Sequence, residues 1–168
     1  MARITPGRMS ADLGDDIVVF LIGMRINKPW KVGKWLFVFR AMPRMLRELS
    51  THPELGLLHV QQGLLSGQPF VLCYFRSPEH LYRFAKDPSL THLEPWREFN
   101  RKVRDSGDVG IWHETYRTGP TTAETWYGNM PAWGLGAAVG TVPAGRRGNS
   151  AAYRAGLAET DEPVVDPY

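Results

Sequence analysis

From Ile17 to Ile26 the chain is almost entirely apolar and rich in β-branched side chains, with only Gly23 and Arg25 interrupting. A short run of this kind, broken by Asn27-Lys28-Pro29, describes a strand buried on both faces. The period then changes. Trp35, Phe39, Met42, Met45, Leu46 and Leu49 recur at helical spacing between Val32 and Leu49, and Pro43 inside that stripe predicts a kink or a second segment because it removes a backbone donor. His52-Pro53 ends the helix. Leu55 to Leu64 and Pro69 to Phe75 are strand-like runs around Leu65-Ser66-Gly67-Gln68, the pattern of a β-hairpin. Ser77-Pro78 reads as an N-cap followed by a first-turn proline, opening a helix through Leu81, Phe84 and Ala85 that stops at Asp87-Pro88. A further helical stripe of Leu93, Trp96, Phe99 and Val103 lies within Ser89 to Arg104, with Pro95 in its first turn. Asp108 to Tyr116 alternates as a last clear strand, and Thr125 to Tyr127 extends the sheet.

The order is strand, helix, strand, strand, helix in two pieces, strand. This βαββαβ order predicts an α+β fold of the ferredoxin-like type with an antiparallel sheet. Helices cover one face of such a sheet, and the other face must be buried by something else. The chain offers no second layer, so a homodimer with two sheets facing each other is expected. Residues 1–14 are polar, contain Pro6, Gly7 and Gly14, and read as a flexible N-terminus. Residues 15–138 are read as the ferredoxin-like α+β domain, including an arm rich in Gly, Pro and aromatics after Tyr127. Residues 139–168 are dominated by Ala, Gly, Arg, Thr and Pro, and read as an extended or flexible tail, of which about Gly145 to Tyr168 is expected to add little stability.

Composition narrows the functional classes. The 168 residues, 43% hydrophobic and 22% charged, suit one globular domain. The net charge of +3 is mild, and Arg97, Arg101, Lys102 and Arg104 read as a solvated helix face, so nucleic acid is not an expected partner. Cys73, the single cysteine, sits in an apolar run and suits a buried free thiol in a reducing cytoplasm. The N-terminus lacks an apolar signal region. The apolar run from Ile17 to Met24 is well short of the roughly 20 residues that span a bilayer, so a soluble, cytoplasmic protein without a membrane partner is expected.

The candidate chemistry begins with histidine. His113 shares a strand face with Val109, Ile111 and Thr115, where a protein would otherwise place Val or Ile. Such an imidazole is either a core histidine donating to a carbonyl or a pocket base or metal ligand. Trp112 and Glu114 point the other way. His92 precedes the Trp96 helix, whose partly positive end favours the neutral imidazole as base or ligand. His59 shares a face with Leu55, Leu57 and Gln61 by the period of two, as a pocket wall or dimer interface would. His52 lies in an exposed turn and His80 in a helix first turn. Arg25, Tyr74, Asn27 and Asn129 are candidate donors for developing anions. Trp35, Phe39, Trp96 and Phe99 are core, whereas Trp30, Trp126, Tyr127 and Trp133 lie in irregular segments and are better pocket candidates. Gly134-x-Gly136 does not follow a strong strand and is no dinucleotide fingerprint, and no metal-binding spacing is present.

Four segments carry a resemblance: Val19-Phe20-Leu21-Ile22-Gly23-Met24-Arg25-Ile26-Asn27-Lys28-Pro29-Trp30, Met42-Pro43-Arg44-Met45-Leu46-Arg47-Glu48-Leu49, His92-Leu93-Glu94-Pro95-Trp96-Arg97-Glu98-Phe99-Asn100, and Gly110-Ile111-Trp112-His113-Glu114-Thr115-Tyr116. Together with Tyr127-Gly128-Asn129-Met130-Pro131, they resemble the monooxygenase-like DUF4188 family over about Asp16 to Ala138. The resemblance implies a dimeric α+β barrel, a fold shared with cofactor-independent monooxygenases, haem-degrading monooxygenases, chlorite dismutases and haem-dependent aldoxime dehydratases. The expected function is a monooxygenase-type oxidoreductase of secondary metabolism, acting on an aromatic or polyketide-like small molecule. Catalysis is expected from His113, His92 and Arg25, and substrate binding from His59, Gln61, Tyr74, Asn27, Trp30, Asn129 and Trp133. The leading mechanism needs no cofactor: a base takes a proton from a phenol or enol, and the carbanion reduces oxygen. The alternative is noncovalent haem b with His113 or His92 as axial ligand and Arg25 pairing with a propionate. A third possibility is a non-catalytic, ligand-binding accessory protein.

Overall fold

A computed structural model describes residues 3–88, 90 and 93–165. It divides into two compact units, Val18–Tyr116 and the segments on either side of it. Length alone predicted one domain. The difference arises because the segments expected to be flexible carry strands of their own.

The Val18–Tyr116 unit is built on the apolar strand β2 (Ile17–Ile26), the helix α1 (Val32–Thr51), the hairpin β3 (Leu57–Leu65) and β4 (Gln68–Phe75), the helices α2 (Pro78–Lys86) and α3 (Leu93–Lys102), and β5 (Val109–Thr118). The strands lie in the order β3-β4-β2-β5, and the β2–β4 and β3–β4 pairs are antiparallel. The βαββαβ order places the first and third strands of the set at the centre, which is the ferredoxin-like arrangement. The hairpin turns at Ser66 and Gly67, both at positive φ (50° and 75°). Two successive left-handed residues match the twist of the flanking strands, and Gly67 takes that conformation without a Cβ penalty. Ser77 caps α2, its hydroxyl accepting from the His80 N–H and lying 2.8 Å from His80 Nδ1. His80 is thus a capping residue. Pro43 does not divide α1, which runs as one helix over Val32–Thr51. Packing against the sheet overrides the lost donor there.

Alternation along the strands sorts two faces. Val18, Phe20 and Ile22 of β2, Val71, Cys73 and Phe75 of β4, and Val60 of β3 pack with Leu46 and Leu49 of α1 and with Leu81 and Phe84 of α2. Met24, Val109 and Ile111 pack with Trp35, Val38 and Phe99. All three helices therefore cover one face. Burial pushes the Cys73 thiol up to about 12, so it is an inert core group. The other face carries Val19, Leu21, Phe70, Leu72, Tyr74 and Trp112 by register and alternation. Gly23 lies there directly under Trp112: a Cβ at 23 would stand 2.7 Å from the indole. A side chain at that position would lift the ring off the sheet.

The second unit holds a three-stranded antiparallel sheet in the order β6-β1-β7, from β6 (Tyr127–Met130), β1 (Thr5–Ala11) and β7 (Thr141–Pro143). Two short helices, α4 (Leu135–Val139) and α5 (Ala151–Arg154), follow. The polar N-terminus, expected to be flexible, is the central strand of this sheet. Its partners come from more than a hundred residues downstream, beyond the reach of a local pattern. The tail is also ordered. Arg154 is 7% exposed; its Nε and Nη2 donate to Glu124 Oε1 at 2.9 and 2.7 Å, and its Nη1 donates to the Gly148 and Asn149 carbonyls. The Asp161 carboxylate accepts from the Asn149 and Ser150 N–H groups, which hold its pKa below the usual carboxylate range. Arg147 donates to the carbonyls of Ala11 and Pro120. Apolar content is low here, and charge-assisted hydrogen bonds do the holding.

The tail was expected to add little stability, and these bonds reverse that expectation. Arg154→Ala leaves Glu124 and the Gly148 carbonyl without their donor, whereas the Asn149 carbonyl keeps Arg8 Nη2, so it should cost about 2 kcal/mol in chemical denaturation. An unchanged midpoint would show that the arginine network adds nothing.

Candidate functional site

The site is framed by the connection between β2 and α1. Asp108, at the entrance to β5, has a side chain only 1% exposed. Its carboxylate accepts from Lys28 Nζ at 2.8 Å and Lys31 Nζ at 3.0 Å, and its carbonyl accepts from the Asn27 and Lys28 N–H groups. The Asn27 side-chain amide donates to Gly107 O at 3.1 Å, and Trp35 Nε1 donates to Pro29 O at 3.0 Å. One carboxylate thus ties the start of α1 to β5. The hydrogen bonds from Lys28 and then Lys31 bring the Asp108 pKa down to about 2.

Held in this way, α1 crosses the helix-covered face of the sheet and leaves a cavity of about 390 Å³ beneath it. The lining comes from Ile22 and Met24 of β2, Val38, Phe39, Met42 and Pro43 of α1, Gln62 and Leu64 of β3, Val71 of β4 and Ile111 of β5. A smaller hollow of about 100 Å³ shares Ile22, Val38, Met42 and Ile111 and opens between α1 and α3. There the Trp96 and Phe99 rings stack at 5.9 Å. Both aromatics were expected to be core, yet Trp96 is half exposed and forms a lip. Among the described lining residues, Gln62 is the only one with an amide, hydroxyl or charged side chain.

Sequence reasoning chose Gln61 and passed over Gln62. A bulge explains the difference. The β3–β4 register shifts between Leu57 and His59, after which His59 faces Tyr74, Gln61 faces Leu72 and Gln62 faces Val71. Leu57 therefore packs on the helix side while His59 and Gln61 point to the opposite face. The forward count by twos from Leu55 crosses the extra residue and fails. A backward count from the Ser66-Gly67 turn gives the correct faces.

The other expected site residues separate in the same way. His113 lies on the cavity side of β5, on the same face as Ile111. It is exposed, with its ring 5.8 Å from that of Phe20, and so is not the core histidine that its apolar face allowed. The strand simply runs past the core. Arg25, His59, Gln61 and Tyr74 lie on the opposite face, so Arg25 and His113 do not converge on one point. The His59 and Tyr74 rings are 6.3 Å apart. On that face Tyr116 Oη donates to Glu114 Oε2 at 2.6 Å, and the neighbouring carboxylate raises the tyrosine pKa. Asn27 is committed to Gly107. Asn129, at φ 51°, accepts from the Gly7 N–H at 2.9 Å and serves the β1–β6 ladder. Trp30 and Trp133 are exposed, at 72% and 57%, and neither lines the cavity; Trp30 borders a shallow open groove with Lys31, Lys34 and Lys102. His92 lies outside the described residues. Among the described residues there is no cluster of three or more His, Cys, Asp or Glu that would hold a metal ion, and no helix long and apolar enough to cross a membrane.

Residues 17–135 match the family described as Monooxygenase af470-like. The chain is 31% identical over 158 residues to Monooxygenase af470 of Aspergillus fumigatus, an alignment covering 77% of this chain and 53% of that protein. The chain thus spans about half the length of the curated relative it matches. Among solved structures, a dimeric ferredoxin-like protein of unknown function from Jannaschia sp. CCS1 is 19% identical, with a TM-score of 0.42 over 58% of this chain and 97% of that one. The de novo designed protein Foldit4 is 16% identical, with a TM-score of 0.33 over 60% of this chain and 96% of that one.

The Asp108 clamp has a pH signature. Its folded-state pKa lies below the unfolded value of about 3.9, so its contribution is full above that value and is lost as pH falls toward the folded one. The difference in urea midpoint between the wild type and Asp108→Asn should be greatest above about pH 4 and should shrink below it. A difference that stays constant across that range would mean the two lysines do not recognise the charge.

Proposed function

We propose, for a chain that belongs to the Monooxygenase af470-like family, a monooxygenase-type activity on an apolar small molecule held between α1 and the sheet. The observation that carries this reading is the cavity: about 390 Å³, almost wholly apolar, and on the same sheet face as His113. Small-molecule sites are concave and largely apolar with few polar groups, and this cavity has that character. An aromatic or polyketide-like skeleton fits such walls.

His113 is the proton acceptor in this reading. It stands two residues beyond Ile111 on the same strand face, about 6.7 Å along the strand from a residue that lines the cavity. A phenol or enol placed against Ile111 gives up its proton to the imidazole; the resulting carbanion joins dioxygen through carbon, takes the proton back as a hydroperoxide, and loses water to leave a carbonyl. The leading reading therefore needs no cofactor. Haem b fits the described cavity poorly. Among the described residues its lining has no histidine to serve as axial ligand and no Lys or Arg for the propionates. The same lack of a titratable group in the lining favours, as the second reading, a non-catalytic carrier of the same ligand. A reducing compartment such as the cytoplasm suits the buried free thiol of Cys73.

The assembly we propose is a homodimer formed through the face opposite the helices. Val19, Leu21, Phe70, Leu72 and Trp112 form an apolar surface there that none of α1, α2 or α3 covers. Light scattering at micromolar concentration should give twice the chain mass of 19.0 kDa. A monomer throughout would remove the dimer.

Oxygen-electrode measurements on the purified protein with electron-rich phenols and enols test the activity. Uptake is expected, and His113→Gln should lower it by about 10²- to 10⁴-fold without unfolding the protein. Full turnover in the Gln variant would make His113 structural. Tight ligand binding without oxygen uptake in the wild type would select the carrier reading, and a sharp absorption band at the blue edge of the visible would restore haem.

A further inference from the structure

Among the described residues, the cavity has one polar side chain, and it has no hydrogen-bond partner. Other polar groups nearby are engaged: Gln68 Oε1 accepts from the Ile26 N–H at 2.9 Å, and the Asn27 amide donates to Gly107. For the Gln62 side chain, no hydrogen bond is found among the described residues. It faces Val71 across β3–β4, on the cavity side, and is exposed, which places its amide at the cavity mouth. A primary amide offers two donors and an acceptor. The surrounding walls, Ile22, Val38, Met42, Leu64 and Ile111, offer none.

We infer that Gln62 is the specificity-determining residue of this site, and that the ligand is a neutral molecule with an apolar body and a hydrogen-bonding oxygen at its Gln62 end. The inference rests on the proposed function only in taking the cavity as the binding site. Neutrality follows from the lining. Among the described residues it holds no Lys, Arg, Asp or Glu, so a charged ligand group would lose its water without gaining a counter-charge. An oxygen at that end follows from the single amide; an oxygen that gives its proton to His113 is a separate group at the β5 end, because β3 and β5 are the two outer strands of the sheet. The oxygen sits at the mouth against Gln62 and the apolar body fills the interior. Because Gln62 is exposed, its amide returns to water when the oxygen is missing, so the discrimination is that of one net hydrogen bond and not of a buried unpaired group.

The test uses two fluorescent probes of nearly equal size, 2-naphthol and 2-methylnaphthalene, titrated into the full chain. The wild type should bind 2-naphthol about three- to tenfold more tightly, the yield of one neutral hydrogen bond. Gln62→Leu should abolish that preference, with 2-methylnaphthalene bound at least as well as before. Gln61→Leu, on the opposite face, should leave the preference intact. Circular dichroism and thermal melts of both variants establish that they fold. If the wild type shows the preference and Gln62→Leu retains it, the role of Gln62 is overturned while the cavity stands as a site. The same holds if Gln61→Leu removes it equally. If neither probe binds the wild type, the cavity itself is not the site, and this inference falls together with the proposed function.

Discussion

A single carboxylate fixes where the site can be. Asp108 sits at the point where β5 enters the sheet, and two lysines from the β2–α1 connection converge on it while its carbonyl takes two backbone N–H groups from the same connection. A side chain with this little exposure is costly to ionise unless its partners compensate. The compensation comes from a segment that would otherwise be a free loop. The first turn of α1 is thereby set relative to β5, and the helix axis follows from its first turn. The height of α1 above the sheet, which decides whether there is a cavity or a filled core, depends on that anchorage at one end and on Leu46 and Leu49 packed at the other.

Between those anchors α1 carries Val38, Phe39, Met42 and Pro43 toward the cavity. Met side chains adapt to irregular space better than branched ones do. Pro43 leaves a carbonyl without its helical donor, and the helix continues through it. The hollow is lined by side chains that pack without filling, against the usual density of interiors. A fold that preserves such a gap within its own core does so at some cost in stability, which is why apolar cavities of this size are informative about binding.

The architecture of the central unit was legible in the sequence because its signals are local. The β-branched run of β2, the helical stripe from Trp35 to Leu49, the Ser66-Gly67 turn and the Ser77 cap are each contained within a few residues, and the βαββαβ order follows from them. The terminal unit was not legible. Its sheet joins Thr5–Ala11 to Tyr127–Met130 and Thr141–Pro143, three short polar strands with no periodicity strong enough to announce them, held by arginine and aspartate contacts that composition does not reveal. The site was half legible. Alternation put His113 on the same face as Ile111, and the family resemblance pointed to an α+β fold. It did not show that β5 carries the imidazole beyond the core, nor that Arg25, His59 and Tyr74 share the other face. The amides of Asn27 and Asn129 looked available on paper, and the backbone claims both.

The bulge in β3 has one more consequence. After it, every residue to the end of the strand takes its face from the turn at Ser66-Gly67, counted backward, and a change of one residue in that turn would exchange the two faces along the strand. For most neighbouring positions such a slip is ruinous, since an inward side chain and an outward one trade places. Gln61 and Gln62 are adjacent and identical. A slipped hairpin would still present a glutamine to the cavity and a glutamine to the open face, so the polarity of the mouth is encoded redundantly, in a way that tolerates the commonest error a hairpin can make.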